Sequence, residues 1–183
     1  ARALLIANPG SRGGRQLVPR AVRACRGAGV HVDVVMTEAP GHGGRVARER
    51  GGEYDFVFSL GGDGTAMEIV NALSGTDCAV GVLPGGTGNL LARALGVPGG
   101  VGRAVRALLN GTTKRIDLGV LGDGHRFAVG AGVGVDAAML AGASVASRRR
   151  YGVLAYVASA ARDLVRPQPF SVRATVDGRV IER

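Results

Sequence analysis

Apolar positions along the first hundred residues alternate between two periods. Ala3–Ala7 is an unbroken apolar run that stops at Asn8-Pro9-Gly10, the mark of a short buried strand. Leu17, Val18, Ala21, Val22 and Cys25 then recur at helical spacing and predict a helix over Gln16–Ala28. Val30–Met36 is rich in β-branched residues and predicts a second strand. Gly43–Arg50 is a short polar helix candidate, Asp55–Leu60 a third strand, and Thr65–Leu73 a helix with Met67, Ile69, Val70 and Leu73 at its apolar positions. Ala79–Leu83 predicts a fourth strand, stopped by Pro84-Gly85-Gly86, and two helical stretches follow at Leu90–Leu95 and Val101–Leu109. Strands and helices alternating across short Gly/Pro loops predict an α/β fold, a parallel sheet covered by helices on both faces.

The pattern changes near Thr112. Arg115–Leu121 and Arg126–Val129 flank Gly122-Asp123-Gly124-His125, a strong hairpin signal. A glycine-rich stretch at Gly130–Asp136 precedes helical patterns at Ala137–Ala146 and Tyr151–Val165, with the basic run Arg148–Arg150 between them. Phe170–Val176 and Arg179–Ile181 flank Asp177-Gly178 as a further hairpin. Hairpins interleaved with helices predict a second, antiparallel domain. The expected division is residues 1–117 for the α/β domain and 118–183 for part of a β-sandwich. A two-stranded hairpin is marginal alone, so the second domain is expected to be incomplete, a piece of a longer protein.

In parallel sheets ligands bind at the carboxyl ends of the strands. Asn8-Pro9, Gly61–Thr65 and Pro84–Asn89 all fall there. Of these, Gly61-Gly62-Asp63-Gly64-Thr65 is the most informative: a buried strand ends, the chain turns on three glycines around one carboxylate, and a helix begins. Glycines allow close backbone approach to a ligand, and a helix N-terminus attracts anions. A carboxylate in the same turn can hold Mg²⁺ or accept a proton but repels a bare phosphate, so the combination suggests a metal-bridged phosphate site.

Two motifs now stand together. They are Gly61-Gly62-Asp63-Gly64-Thr65-Ala66-Met67-Glu68-Ile69-Val70-Asn71 and Leu83-Pro84-Gly85-Gly86-Thr87-Gly88-Asn89-Leu90-Leu91-Ala92-Arg93. With Asn8-Pro9, Ile116-Asp117-Leu118-Gly119 and Gly132-Val133-Gly134-Val135-Asp136, they resemble the diacylglycerol kinase catalytic domain family, which includes bacterial lipid kinases and sphingosine kinases. The resemblance implies a Rossmann-like first domain of the phosphofructokinase and NAD kinase kind. It implies an ATP-dependent kinase that uses Mg²⁺ and phosphorylates a hydroxyl of diacylglycerol or a related lipid. By the same resemblance, Asn8, Pro9, Gly61, Gly62, Gly64, Thr65, Glu68, Gly86, Thr87, Gly88 and Asn89 would contact the nucleotide. Asp63 would hold the metal or take the acceptor's proton, and both roles stay open. Asp136 would contact the acceptor headgroup. Bland alternatives stand beside these: Glu68 as a capping-box partner or solvated side chain, Thr65 as a helix cap, Pro84–Asn89 as a strand-to-helix turn with an Asn cap, and Asp136 as another helix cap. The family's first loop usually reads Asn-Pro-x-Ser-Gly, whereas here Ser11 is followed by Arg12. Its late Asp-Gly-Glu element does not occur in the chain. An NAD kinase-like enzyme and a non-catalytic nucleotide-binding module are the competing readings.

Composition narrows the partners. The chain has 183 residues, 46% of them hydrophobic and 20% charged, which excludes a disordered polypeptide. A net charge of +9, carried almost wholly by arginine, favours nucleotides or an anionic membrane surface. Aromatic residues make up 4% and Trp is absent, which argues against nucleic acid as a partner. Cys25 and Cys78 are far apart in apolar contexts and are expected to be free buried thiols. His31, His42 and His125 show no metal-ligand spacing. With no leader-like segment or apolar run of spanning length, a cytoplasmic protein, peripheral on the inner membrane surface, is expected. A homodimer is compatible with this reading.

Overall fold

The computed structural model describes residues 1–122, 124–130, 171, 173–176 and 179–182. Two compact units divide the chain, Ala1–Gly130 and Ala131–Arg183. In the first, strands β1 (Arg2–Ala7), β2 (His31–Met36), β3 (Phe56–Gly61) and β4 (Ala79–Pro84) alternate with helices α1 (Gly14–Gly27), α2 (His42–Arg50) and α3 (Asp63–Leu73). A 3-10 turn at Gly51–Glu53 follows α2, and helices α4 (Leu90–Ala94) and α5 (Val101–Leu109) follow β4. The sheet order is β2-β1-β3-β4, all parallel, with Ala3 paired to Val32 on one side and Phe56 on the other. The unit ends in a short hairpin, β5 (Gly119–Val120) with β6 (Arg126–Phe127). In the second unit the described residues form one antiparallel hairpin, β7 (Arg173–Val176) with β8 (Arg179–Glu182).

Side chains of a strand alternate faces, and β1, central and buried on both, shows what each layer does. Ala3, Leu5 and Ala7 face one layer, where Phe58, Leu60 and Leu83 meet Ala21 and Cys25 of α1 and Val101, Ala104 and Val105 of α5. Leu4 and Ile6 face the other, where Val57 meets Val46 and Ala47 of α2 and Ile69 and Leu73 of α3. The expected helices on both faces are therefore present. Gly81 makes room for the largest fully buried side chain: a Cβ there would lie 2.5 Å from the Phe58 ring. A third, smaller cluster seats α4, packing Leu91 and Ala92 on Ala66 and Val82.

A polar network sits at the opposite, amino-terminal edge of the sheet. Arg50 donates to the Tyr54 hydroxyl at 2.7 Å, which donates to Asp33 at 2.8 Å. Arg2 and His31 also approach the Asp33 carboxylate. The Tyr54 hydrogen bond, helped by His31 and Arg2, holds the Asp33 carboxyl below its usual range. Burial, then the neighbouring Asp33, pushes the Tyr54 phenol up. Both cysteines are free, as expected, but only Cys25 is buried and Cys78 is half-buried. Burial raises both thiols, so neither is activated as a nucleophile.

Candidate functional site

The sheet order puts the carboxyl ends of β1, β3 and β4 side by side, so the three loops singled out in the sequence share one edge. Backbone hydrogen bonds lock them together. The Asn8 amide donates to the Leu60 carbonyl at 2.9 Å, Gly85 N–H to Gly61 C=O at 2.9 Å, and Gly13 N–H to Gly85 C=O at 3.1 Å. Such contact requires backbones without side chains between them. A Cβ on Gly86 would lie 2.5 Å from the Gly62 Cα, and one on Gly14 would lie 1.7 Å from the Asn8 carbonyl oxygen. These glycines are demanded by loop-on-loop packing.

Gly64 differs. It is exposed, in the first turn of α3, and a Cβ there would meet nothing within 4 Å. The fold supplies no reason for a glycine at this position. A ligand against the helix terminus would supply one.

Helix α3 starts two residues before the predicted Thr65. Gly62 is its N-cap, and the Gly62 carbonyl accepts from Ala66 N–H at 3.1 Å. The expectation that Thr65 caps the helix is corrected: Thr65 lies inside the first turn, buried, and its hydroxyl accepts from Asn8 Nδ2 at 3.0 Å. No side chain caps α3. The first-turn N–H groups, which have no intrahelical acceptor, face the edge where the loops meet.

Two carboxylates of α3 cap its neighbours instead. Asp63 Oδ1 accepts from Leu91 N–H, in the first turn of α4, at 3.1 Å. Glu68 Oε1 accepts from Gly41 N–H, at the N-cap of α2, at 2.9 Å. Asn89, read as a helix cap in the sequence, makes no cap hydrogen bond. It adopts the left-handed conformation, φ 49°, which Asn tolerates better than most residues. Its amide closes the loop on Gly86, accepting from Gly86 N–H at 2.8 Å and donating to Gly86 C=O at 2.9 Å.

The structure therefore brings Asn8, Gly61, Gly62, Asp63, Gly64, Thr65, Gly86, Thr87, Gly88 and Asn89 to one edge. Gly88 lies against Asp63, where an added Cβ would be 3.0 Å from Oδ2. Pro9 follows Asn8 in the first loop, whose turn Asn8 Oδ1 closes by accepting from Gly10 N–H at 2.8 Å. Glu68 stands apart, turned to the β2–α2 loop. That loop was missed in the sequence. Thr37, buried after β2, donates its amide to the Ala7 carbonyl at 2.8 Å, so a fourth strand end joins the same edge. The loop's sequence signal is Pro40-Gly41, a turn dipeptide that punctuates the end of β2 as glycine and proline do in the other three loops. Asp136 lies outside the described residues, as do Arg148–Arg150.

For a metal, the glycine-rich loops offer one carboxylate, Asp63, while Glu38 and Glu68 belong to the β2–α2 side of the edge. Among the described residues no three His, Cys, Asp or Glu side chains gather into a ligand cluster. Magnesium is commonly held by one or two carboxylates together with substrate phosphates, and Asp63 fits that mode. Among the described residues no helix is long and apolar enough to cross a membrane.

The chain is similar to known proteins in sequence and in fold. A diacylglycerol kinase of Bacillus subtilis is 31% identical over 189 residues, covering 99% of this chain and 61% of the relative. A diacylglycerol kinase of Mycobacterium tuberculosis is 33% identical over 131 residues, covering 68% of this chain and 41% of the relative. The crystal structure of a diacylglycerol kinase from Bacillus anthracis has the same fold, with a TM-score of 0.70 at 23% identity, covering 100% of this chain and 62% of that one. The chain thus spans about three-fifths of the length of two of these proteins and less of the third. The family model for the diacylglycerol kinase catalytic domain matches residues 2–121, and the chain belongs to that family.

Proposed function

We propose that the chain is the nucleotide-binding part of an ATP-dependent lipid kinase, transferring the γ-phosphate of ATP to a hydroxyl of diacylglycerol or a related lipid. Residues 1–117 form the nucleotide domain in this reading, and 118–183 begin the acceptor domain, with Asp136 at the lipid headgroup. One observation carries the proposal: an uncapped helix terminus, a glycine with open space beside it and a carboxylate meet where three loops of a parallel sheet converge.

Phosphoryl transfer depends on positioning and charge stabilisation more than on covalent chemistry. The first-turn amides of α3 donate to phosphate oxygens, and Gly64 leaves room for them. Asn8 and Asn89 hold their loops in shape and line the same edge. Mg²⁺, when bound, neutralises phosphate charge, and Asp63 is the side chain to hold it. The acceptor oxygen forms a bond to the γ-phosphorus, the bond to the β–γ bridging oxygen breaks, and the hydroxyl proton passes to a base. Asp63 Oδ2, which receives no hydrogen bond among the described residues, is available for metal or proton. The protein is read as cytoplasmic and peripheral to an anionic membrane, with ATP and the lipid as its ligands and a homodimer compatible.

The test is a kinase assay on the full-length protein with ATP, Mg²⁺ and a panel of lipids. Labelled phosphate on a lipid hydroxyl is the expected result. Transfer to NAD and to no lipid would overturn the proposal, as would ATP binding with no turnover on any acceptor.

A further inference from the structure

Basic charge is unevenly spread over the first unit. Helix α1 carries Arg15, Arg20, Arg23 and Arg26, all exposed, and α5 carries Arg103 and Arg106. Neither helix contains an Asp or Glu. The ion pairs among the described residues engage Asp33, Asp77 and Glu182, and none reaches this layer. Among the described residues the layer is a field of arginine without an ion-paired counter-charge, on the face opposite α2 and α3.

The field has a concave centre. A groove of about 570 Å³ runs between α1 and α5, walled by Arg20, Arg23, Arg106 and Asn110, with Gly27 and Gly102 among the residues lining it. A Cβ at Gly27 would meet nothing within 4 Å, so the absence of side chains at these glycines leaves the groove open. The guanidinium fork matches phosphate and carboxylate geometry alike and is weakly hydrated, and several arginines around one groove suit a multiply charged anion such as phosphate better than a singly charged or neutral ligand.

The groove is separate from the loop edge. Helix α1 begins at Gly14, against the Asn8 carbonyl. Its 14 residues then run back along the sheet for roughly 21 Å. Its far end feeds β2, which starts opposite Arg2, at the amino-terminal edge. The groove lies along this far half, from Arg20 to Ala28.

We infer that the α1–α5 groove is a second anion site, in which Arg20, Arg23 and Arg106 surround a phosphate group and Asn110 adds a hydrogen bond. The phosphate belongs either to the headgroup of an anionic phospholipid or to a soluble phosphate ester. The site does not depend on the kinase reading, because it uses none of the loop residues. Binding relieves the mutual repulsion of three arginines that no carboxylate offsets.

The test compares two variants of the full-length protein that lose the same charge. One is Arg20→Gln/Arg23→Gln/Arg106→Gln; the other is Arg45→Gln/Arg48→Gln/Lys114→Gln, away from the groove. Pyrophosphate binding is measured by calorimetry, and vesicle binding by sedimentation with phosphatidylcholine alone or mixed with phosphatidic acid. For vesicles, the groove variant is expected to partition roughly 100-fold more weakly, from three basic side chains lost at an anionic surface. For pyrophosphate, a loss of about tenfold or more is expected, the scale of charge-assisted hydrogen bonds removed. Vesicle binding without pyrophosphate binding assigns a lipid headgroup, and the reverse assigns a soluble ester. The inference is overturned if neither probe binds the wild type, or if the two variants lose affinity equally. Circular dichroism on both variants separates lost binding from lost fold.

Discussion

Gly64→Ala separates a ligand-serving glycine from a fold-serving one. The substitution adds a methyl group in the first turn of α3, in space empty to 4 Å, at a residue whose φ lies outside the left-handed region. Nothing must move to admit it. Alanine is favoured over glycine by about 1 kcal/mol in a helix interior and by less in the first turn, so the variant should be more stable by about 0.5–1 kcal/mol. That corresponds to a rise in Tm of about 1–4 °C for a protein of this size. If phosphate packs against the first-turn amides, the same methyl occupies the ligand's place, and nucleotide affinity should fall at least tenfold, about 1.4 kcal/mol or more. The paired control is Gly86→Ala, whose Cβ would lie 2.5 Å from the Gly62 Cα. There the backbone must shift, and a stability loss of about 1–3 kcal/mol is expected. Urea unfolding gives the stabilities, and titration with a fluorescent ATP analogue in Mg²⁺ gives the affinities. A Gly64→Ala protein that is stabilised and binds nucleotide like the wild type refutes the phosphate cradle. One that is destabilised refutes the open geometry.

Asp63→Asn keeps an oxygen for the Leu91 amide but loses the charge, so it should fold normally and show no turnover. Asp63→Ala loses the cap as well and should cost about 1 kcal/mol in urea unfolding. Asp33→Asn should flatten the acid limb of stability. The carboxyl is held below its ordinary range, so its contribution is present above about pH 4, the ordinary carboxylate pKa, and is lost as pH falls through the lower folded value. Wild-type and variant stabilities measured against pH should therefore converge in acid, and a constant gap down to pH 2 would contradict the hydrogen-bonded network. Phe58→Ala should cost about 3–5 kcal/mol in chemical denaturation, because the ring is fully buried and Gly81 is shaped around it.

Legibility in the sequence followed the physics of each feature. Strands β1 and β3 were readable because both their faces are buried and apolar runs result, the edge strand β2 through its β-branched residues, and α5 because Val101, Ala104 and Val105 give a clean amphipathic period. The three loops were readable because glycine and proline punctuate strand ends. Helix boundaries were less so. The start of α3 was placed at its hydroxyl residue, where side-chain capping is usual, whereas Gly62 serves with no side chain at all. The roles of Glu68 and Asn89 depend on partners 27 residues away and on a backbone turn, respectively. No local pattern encodes a carboxylate that caps a different helix. The β2–α2 loop carries the same punctuation at Pro40-Gly41, but Thr37 itself has no local mark, and strand adjacency brings it to the edge.

The site is built so that its stabilising contacts and its candidate chemistry use different groups. Loop joins run through main-chain bonds, such as Gly85 N–H to Gly61 C=O, and through side-chain amides, such as Asn8 to Thr65. Asp63 contributes one oxygen to this frame, through the Leu91 amide, and keeps the other. Helix α3 receives no side-chain cap although its own carboxylates cap α2 and α4. An uncapped N-terminus costs stability, since a suitable N-cap is worth roughly 1 kcal/mol. The unused donors are the groups a phosphate would take, so nucleotide should stabilise α3 more than any other helix. Hydrogen exchange with and without ATP tests this: protection should rise first at the amides of Gly64 and Thr65, and a uniform rise across α1 to α5 would place the ligand elsewhere.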